Sequence, residues 1–248
     1  MNVRARFDAL RARLDDAARA SGRSPADVSL IGVAKTRSPA EVVAAVAAGL
    51  SDVGANYLDE SLPAIAAVAA AGLRCRWHFI GHLQGNKTRA VASHYDWVHT
   101  LDRARIADRL SAQRDPGKPP LQVLIQTNFD HEPTKSGVPD DAALRALAAH
   151  VQALPNLRLR GLMTVPPPGV DAAAAFARTR ASLAALREGS PSTAACLDTL
   201  SMGMSDDFEQ AVMAGSTMVR IGTALFGARP GRPAGTSSPS ASPSPDLT

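Results

Sequence analysis

The stretch SLIGVAKTRSPAE, Ser29 to Glu41, carries an apolar run into Lys35, just ahead of a segment with helical spacing. Lysine is scarce in this chain. Lys35, Lys87, Lys118 and Lys135 are the four present among 27 Lys and Arg, so cationic positions are almost all arginine. A lysine at a strand end can be a solvated terminus and nothing more. Partly desolvated, it becomes a different reagent. Burial disfavours the ammonium, lowers its pKa and leaves an amine that is nucleophilic toward aldehydes. The chemistry that follows is a Schiff base on Lys35.

A second set of residues lies far down the chain, in TLSMGMSDDFEQAVMAGSTMVRIGTALFG, Thr199 to Gly227. Ser201, Met202, Gly203 and Ser205 follow one β-like run, and Gly222 and Thr223 follow the next. Asp206 and Glu209 have the spacing of a capping box on the helix between them. Backbone N–H groups at helix starts, with Ser and Thr hydroxyls beside them, make an anion site. Each hydroxyl alone is equally well an ordinary cap. A Schiff-base lysine facing a phosphate site suits a ligand with an aldehyde and a phosphate. Pyridoxal 5′-phosphate (PLP) fits, and so does the sugar phosphate of a lysine-dependent aldolase. Arg220, two residues before Gly222, favours PLP, because a guanidinium there can donate to a pyridine nitrogen.

The elements that must position these groups are legible in the apolar pattern. Strands are expected at Val28–Ala34, Asp52–Gly54, Arg76–Gly81, Trp97–Thr100, Leu121–Thr127, Leu157–Thr164, Thr199–Met202 and Met218–Gly222. Helices are expected between them, near Pro39–Ala48, Asp59–Ala71, Gly85–Ser93, Arg103–Gln113, Asp140–Ala153, Asp171–Arg187 and Asp206–Ala214. An additional N-terminal amphipathic helix is marked by Val3, Phe7, Leu10, Leu14 and Ala18 and closed by Ser21-Gly22. Strand–helix alternation implies a parallel sheet. Eight such units in roughly 250 residues imply an α/β fold of the (β/α)8 TIM-barrel type, with an open doubly wound sheet as the alternative. In such a barrel the strand C-termini form the active rim. That rim would collect Lys35, Asn56, Tyr57, His78, His82, Asn128, Met163, Thr164, Ser201 and Arg220.

Composition excludes several classes. The chain of 248 residues is 45% hydrophobic and 20% charged, with net charge +4 and scattered arginines. That argues against nucleic-acid binding. No apolar run reaches the roughly 20 residues of a membrane span. The charged N-terminus lacks the apolar core of a signal peptide, so a cytoplasmic location is expected. Cys75 and Cys196 have no metal spacing and are read as two buried free thiols. Residues 231–248, GRPAGTSSPSASPSPDLT, are expected to be a disordered Ser/Pro-rich tail after a single domain spanning 1–230.

The assembled motifs resemble the YggS/PROSC-like PLP homeostasis family, whose barrel is that of the alanine racemase N-terminal domain. They are VAKT (33–36), GANY (54–57), WHFIGHLQGNK (77–87), VLIQTN (123–128), KSG (135–137), LRGLMTV (159–165) and the long block from Leu200 to Arg229. The resemblance implies Lys35 as the cofactor's covalent anchor and Arg220 at the pyridine nitrogen. It implies Ser201, Gly222 and Thr223 around the phosphate, with Met202, Gly203 and Ser205 nearby. Asn56 would lie close to the ring, and Met163 counts among the cofactor-binding positions. His78, Asn86 and Lys87 belong to the third-strand motif without an assigned role. Ala55 departs from the family's usual GENY and removes a carboxylate expected beside the site.

Arg220 also bears on activity. A guanidinium stays protonated and only donates. It leaves the ring nitrogen unprotonated and the ring a weaker electron sink. The racemase also needs a second base, a tyrosine from a further domain, and neither Tyr57 nor Tyr95 sits in a motif for that role. Three classes are thereby weighed: a non-catalytic PLP carrier in cofactor homeostasis, a PLP-dependent amino-acid racemase, and a Schiff-base aldolase. The resemblance favours the carrier, with apo PLP-dependent enzymes as partners and a monomeric state.

Overall fold

Short Val-, Ile- and Leu-rich runs alternate with Ala-rich segments of helical period, and each run becomes an inner strand. The computed structural model describes residues 2–227. The strands are β1 (Ser29–Val33), β2 (Asp52–Ala55), β3 (Arg76–Phe79), β4 (Trp97–Leu101), β5 (Leu121–Gln126), β6 (Leu157–Met163), β7 (Thr199–Ser201) and β8 (Met218–Ile221). All pair in parallel with their sequence neighbours. β8 returns to β1, from Ser29 opposite Met218 to Gly32 opposite Ile221, and closes the barrel. The expected (β/α)8 barrel is the fold observed. The proposed tail at 231–248 lies outside the described residues.

The helices are α1 (Val3–Ala20), α2 (Pro39–Ala47), α3 (Leu58–Ala70), α4 (Thr88–His94), α5 (Ala104–Gln113), α6 (Asp141–Gln152), α7 (Ala172–Glu188), α8 (Phe208–Met213) and α9 (Thr223–Phe226). The additional helix α1 buries Leu10, Leu14, Ala17 and Ala18 and packs on α8 and α9. Arg6 donates to the Phe226 carbonyl and Arg13 pairs with Glu209. That pairing corrects the expected capping box. Glu209 faces α1, and Asp207 caps the preceding turn by accepting the Met204 N–H at 2.6 Å. The cysteines also differ from expectation. Both are free but half-buried, and burial pushes the Cys75 thiol up to about 12.

Strand alternation sorts side chains into two cores. Val53, Ala55, Val98, Leu200, Val219 and Ile221 face the helices in the main core. Ile31, Trp97, Leu124, Met163 and Met218 form a separate cluster inside the barrel. Ala55 thus faces outward. It lines a small space with Ala34, Arg37, Val42, Glu60, Ser61, Ala64 and Trp77. The position therefore faces the helix layer, beside Arg37 and Glu60, and not the barrel interior.

Candidate functional site

Lys35 stands two residues past β1, in a turn fixed from both sides. The Ala34 N–H donates to the Gly54 carbonyl at 2.9 Å. Thr36 has φ 61, a left-handed conformation that a β-branched residue rarely adopts. Its N–H donates to Glu60 Oε2 at 2.9 Å and its hydroxyl to the Lys35 carbonyl at 2.7 Å. The carboxylate on α3 thereby holds the strained residue that aims the lysine. Lys35 Nζ lies 5.7 Å from the Tyr57 ring centroid, within cation–π range. Tyr57 is 51% exposed at the rim.

Two cavities open at this end of the barrel and share Asn56. One, of about 270 Å³, is lined by Asn56, Tyr57, Asp59, Phe79, His82 and Lys87 among others. The other, of about 420 Å³, adds Thr100, Gln126, Lys135, Ser136 and Met163. Asn56 Oδ1 is buried with no partner among the described residues. Gly81 lets the next strand end pass close by, since a Cβ there would sit 2.1 Å from the Asn56 carbonyl oxygen. Lys35 lines neither cavity, but its Nζ faces the ring of Tyr57, which lines the first. Ser205, Gly222 and Thr223 line neither cavity. The β8–α9 turn nonetheless lies against β1, because a Cβ at Gly222 would be 3.6 Å from the Val33 carbonyl oxygen. Gly222 is the N-cap of α9 and no side chain caps that helix.

Arg220 is buried at the third position of β8, inside the barrel. Nη1 donates to the Ser201 carbonyl at 2.8 Å and hydroxyl at 2.6 Å, and Nη2 to the Thr164 carbonyl at 2.9 Å. A guanidinium has five N–H donors. The Nε–H and second Nη2–H of Arg220 have no partner among the described residues. Burial lowers its pKa to about 10, with Asp207 opposing, so it stays charged at neutral pH. Ser201, expected with the phosphate group, is fully buried, its hydroxyl between Arg220 and His99 Nδ1 at 2.9 Å. Met202 is buried in the main core. Gly203 turns at φ 92 and accepts the Arg220 N–H at 3.0 Å.

Other polar residues of the barrel have structural tasks. Asn128 donates to the Glu132 and Lys135 carbonyls and builds the β5–α6 loop. Lys135 Nζ is held by the Val165 and Pro166 carbonyls, each at 3.1 Å. Tyr95 is sequestered against Ser61, and burial pushes its hydroxyl up to about 12. His78 points into the barrel, where it stacks on Trp97 with centroids 5.6 Å apart. It contacts two residues that sequence reasoning missed, Asp52 and His99. Among the described residues no group of three or more His, Cys, Asp or Glu is placed to hold a metal ion.

Residues 6–230 match the model of the alanine racemase N-terminal domain. The pyridoxal phosphate homeostasis protein of Pseudomonas aeruginosa is 54% identical over 222 residues, covering 88% of this chain and 92% of that protein. This chain belongs to the pyridoxal phosphate homeostasis protein family. The Escherichia coli member is 48% identical over 221 residues, covering 89% of this chain and 94% of its own. Among solved structures, PipY of Synechococcus elongatus with PLP bound is 32% identical, with TM-score 0.79, covering 91% of this chain and all (100%) of that one. Alanine racemase of Bacillus anthracis, at 17% identity and TM-score 0.59, shares the fold.

Proposed function

We propose that this chain binds PLP through Lys35 and acts as a carrier in intracellular PLP homeostasis, storing and delivering the cofactor and so influencing amino-acid metabolism. The site residues fit that group. Lys35 supplies the amine. The two unpartnered Arg220 N–H donors suit a pyridine nitrogen. Asn56 Oδ1, buried and unpartnered, suits a polar substituent of the ring. The uncapped start of α9 at Gly222 and Thr223, with Ser205 on the neighbouring loop, suits a phosphate. Met163 lines the second cavity, Gly203 accepts the Arg220 N–H, and the buried Met202 precedes that glycine. Ser201 serves the site indirectly, by holding Arg220. The relatives named for PLP homeostasis and the PLP-bound PipY support this reading.

The observation that carries the carrier role is the charged Arg220 in the barrel interior. PLP brings an aldehyde and an electron-accepting ring. Arg220 can only donate and keeps the ring nitrogen free of a proton, which weakens that acceptor. Lys35 is one acid–base group. Tyr95 is sequestered, so among the described residues Tyr57 is the tyrosine at the rim. Apo PLP-dependent enzymes are the natural recipients, and we take the chain as a cytoplasmic monomer in one domain over 1–230. No described helix is long and apolar enough to cross a membrane. The test is incubation with L-alanine in deuterated water. A carrier gives little α-deuteration, and rapid exchange with racemisation identifies a racemase instead.

A further inference from the structure

The interiors of (β/α)8 barrels are filled mostly by branched apolar side chains. Three successive strands here turn polar residues inward. His78 Nε2 is 2.8 Å from Asp52 Oδ1, His78 Nδ1 is 2.9 Å from His99 Nε2, and His99 Nδ1 is 2.9 Å from the Ser201 hydroxyl. Asp52 opens β2 and is paired with Arg76 at the start of β3, whose side chain is 54% exposed. Ser201 closes β7 and touches Arg220. The chain of bonds therefore runs from the N-terminal mouth of the barrel to the rim that carries the candidate site.

Its ends determine its direction. The Asp52 carboxylate only accepts, so His78 donates to it from Nε2 and, as a neutral ring, accepts at Nδ1. His99 then donates from Nε2 and accepts at Nδ1 from the Ser201 hydroxyl. Ser201 accepts in turn from Arg220, which only donates. With both histidines neutral in the Nε2–H form, every link has one donor and one acceptor and none is left unsatisfied. The reverse direction would set a donor against a donor at Arg220 unless the Ser201 hydroxyl proton left the chain.

We propose that Asp52, His78 and His99 form a one-way hydrogen-bond wire that fixes the Ser201 hydroxyl and thereby positions Arg220 for the cofactor's ring nitrogen. These three are positioning residues and touch no ligand themselves. Burial supports neutral histidines, since it lowers the pKa of His78 and lowers that of His99 well below the ordinary value, the latter helped by the Arg220 charge. The link to the cofactor rests on the PLP reading above, but the direction of the wire does not.

Long-range ¹H–¹⁵N NMR of the imidazoles separates the two. The full chain is labelled and read before and after PLP addition, with His78→Gln and His99→Gln for assignment. Without PLP, both rings should carry one proton, on Nε2, at pH 7. A proton on Nδ1 of either ring, or two protons, overturns the wire. Absorbance reports whether PLP is bound. If none binds, the cofactor reading fails while the tautomers still decide the direction. Bound PLP should move the His99 signals, those of His78 less, and those of His150 on the outer helix α6 not at all. PLP bound with His99 unmoved overturns the coupling. His99→Phe keeps a ring against His78 but removes the acceptor for Ser201. It should weaken PLP binding by about 10-fold, the worth of one buried hydrogen bond, and change the bound cofactor's absorption. His99→Gln, which retains an acceptor, should restore part of both. A His99→Phe protein that unfolds like wild type on heating and binds PLP unchanged makes His99 a packing residue and overturns the proposal.

Discussion

Arg220 and Ser201 are joined twice, by Nη1 to the serine carbonyl at 2.8 Å and to its hydroxyl at 2.6 Å. This double contact pins a buried charge by a group that is itself held from behind by His99. It explains why a strand interior tolerates an arginine. Each donor it gives to Ser201 and Thr164 offsets part of the cost of burying the cation.

Replacing Arg220 tests its place beside the cofactor. Arg220→Gln removes the charge and most of the donors, and Arg220→Glu offers a carboxylate to the ring nitrogen, which should then be protonated. Both should shift the absorption of the bound cofactor, with Arg220→Glu the larger. The loss of buried charge-assisted hydrogen bonds should also lower stability by about 2–4 kcal/mol, read from denaturant unfolding. Identical spectra in folded variants would separate Arg220 from the ring.

Gly203 gives a steric prediction. At φ 92 a side chain is strained, and a Cβ would fall 2.6 Å from Ala211 Cβ and 3.0 Å from Phe208 Cα. Gly203→Ala should cost about 2–4 kcal/mol from the backbone and the overlap together, and it should weaken PLP binding by displacing the β7–α8 loop. Gly169→Ala is the control. It has φ 85 but nothing within 4 Å, so it should cost about 1 kcal/mol and leave binding unchanged. Equal effects at both positions would contradict the packing argument.

The buried histidines set an acid limit. In the unfolded chain each takes a proton near pH 6.5, whereas the folded chain keeps His78 and His99 below that value. As pH falls below 6.5 the unfolded state binds more protons, so stability drops, by up to about 1.4 kcal/mol per pH unit for each histidine. Asp52 acts lower. Burial raises its carboxyl, but hydrogen bonds from His78 and Arg76 prevail and bring it from 3.8 to about 2. Its contribution is full above 3.8 and is lost as pH falls through 2. Thermal unfolding between pH 7 and pH 5 should show a falling Tm, with a shallower slope in His99→Gln. An equal slope in that variant would mean that His99 is not held neutral.

The barrel was legible because eight apolar runs alternate with helical segments, and the strand ends then placed Lys35 and Asn56 at one end of it. What escaped was the inward face. The sequence marks β2 only as Asp52–Gly54 and offers no partner for its aspartate, and His99 lies in the Trp97–Thr100 run with no signal of its own. The available signal was a polar residue in each of three consecutive barrel strands, Asp52, His78 and His99, where parallel strands are ordinarily apolar on both faces. The fate of Ser201 escaped for the same reason. Its position suggested a phosphate loop, and what the sequence did not show is that β-strand alternation sets it beside Arg220 and His99. The capping box failed because Glu209 found Arg13 on α1, a partner 196 residues away in sequence.

The anchor is the central claim, and borohydride reduction of the PLP-loaded protein tests it most directly. Reduction should fix the cofactor on the peptide that contains Lys35, as read by mass spectrometry, and Lys35→Ala should abolish the labelling while the barrel stays folded. Labelling on Lys87 or Lys135 in the wild-type protein, with Lys35 unmodified, would contradict the account.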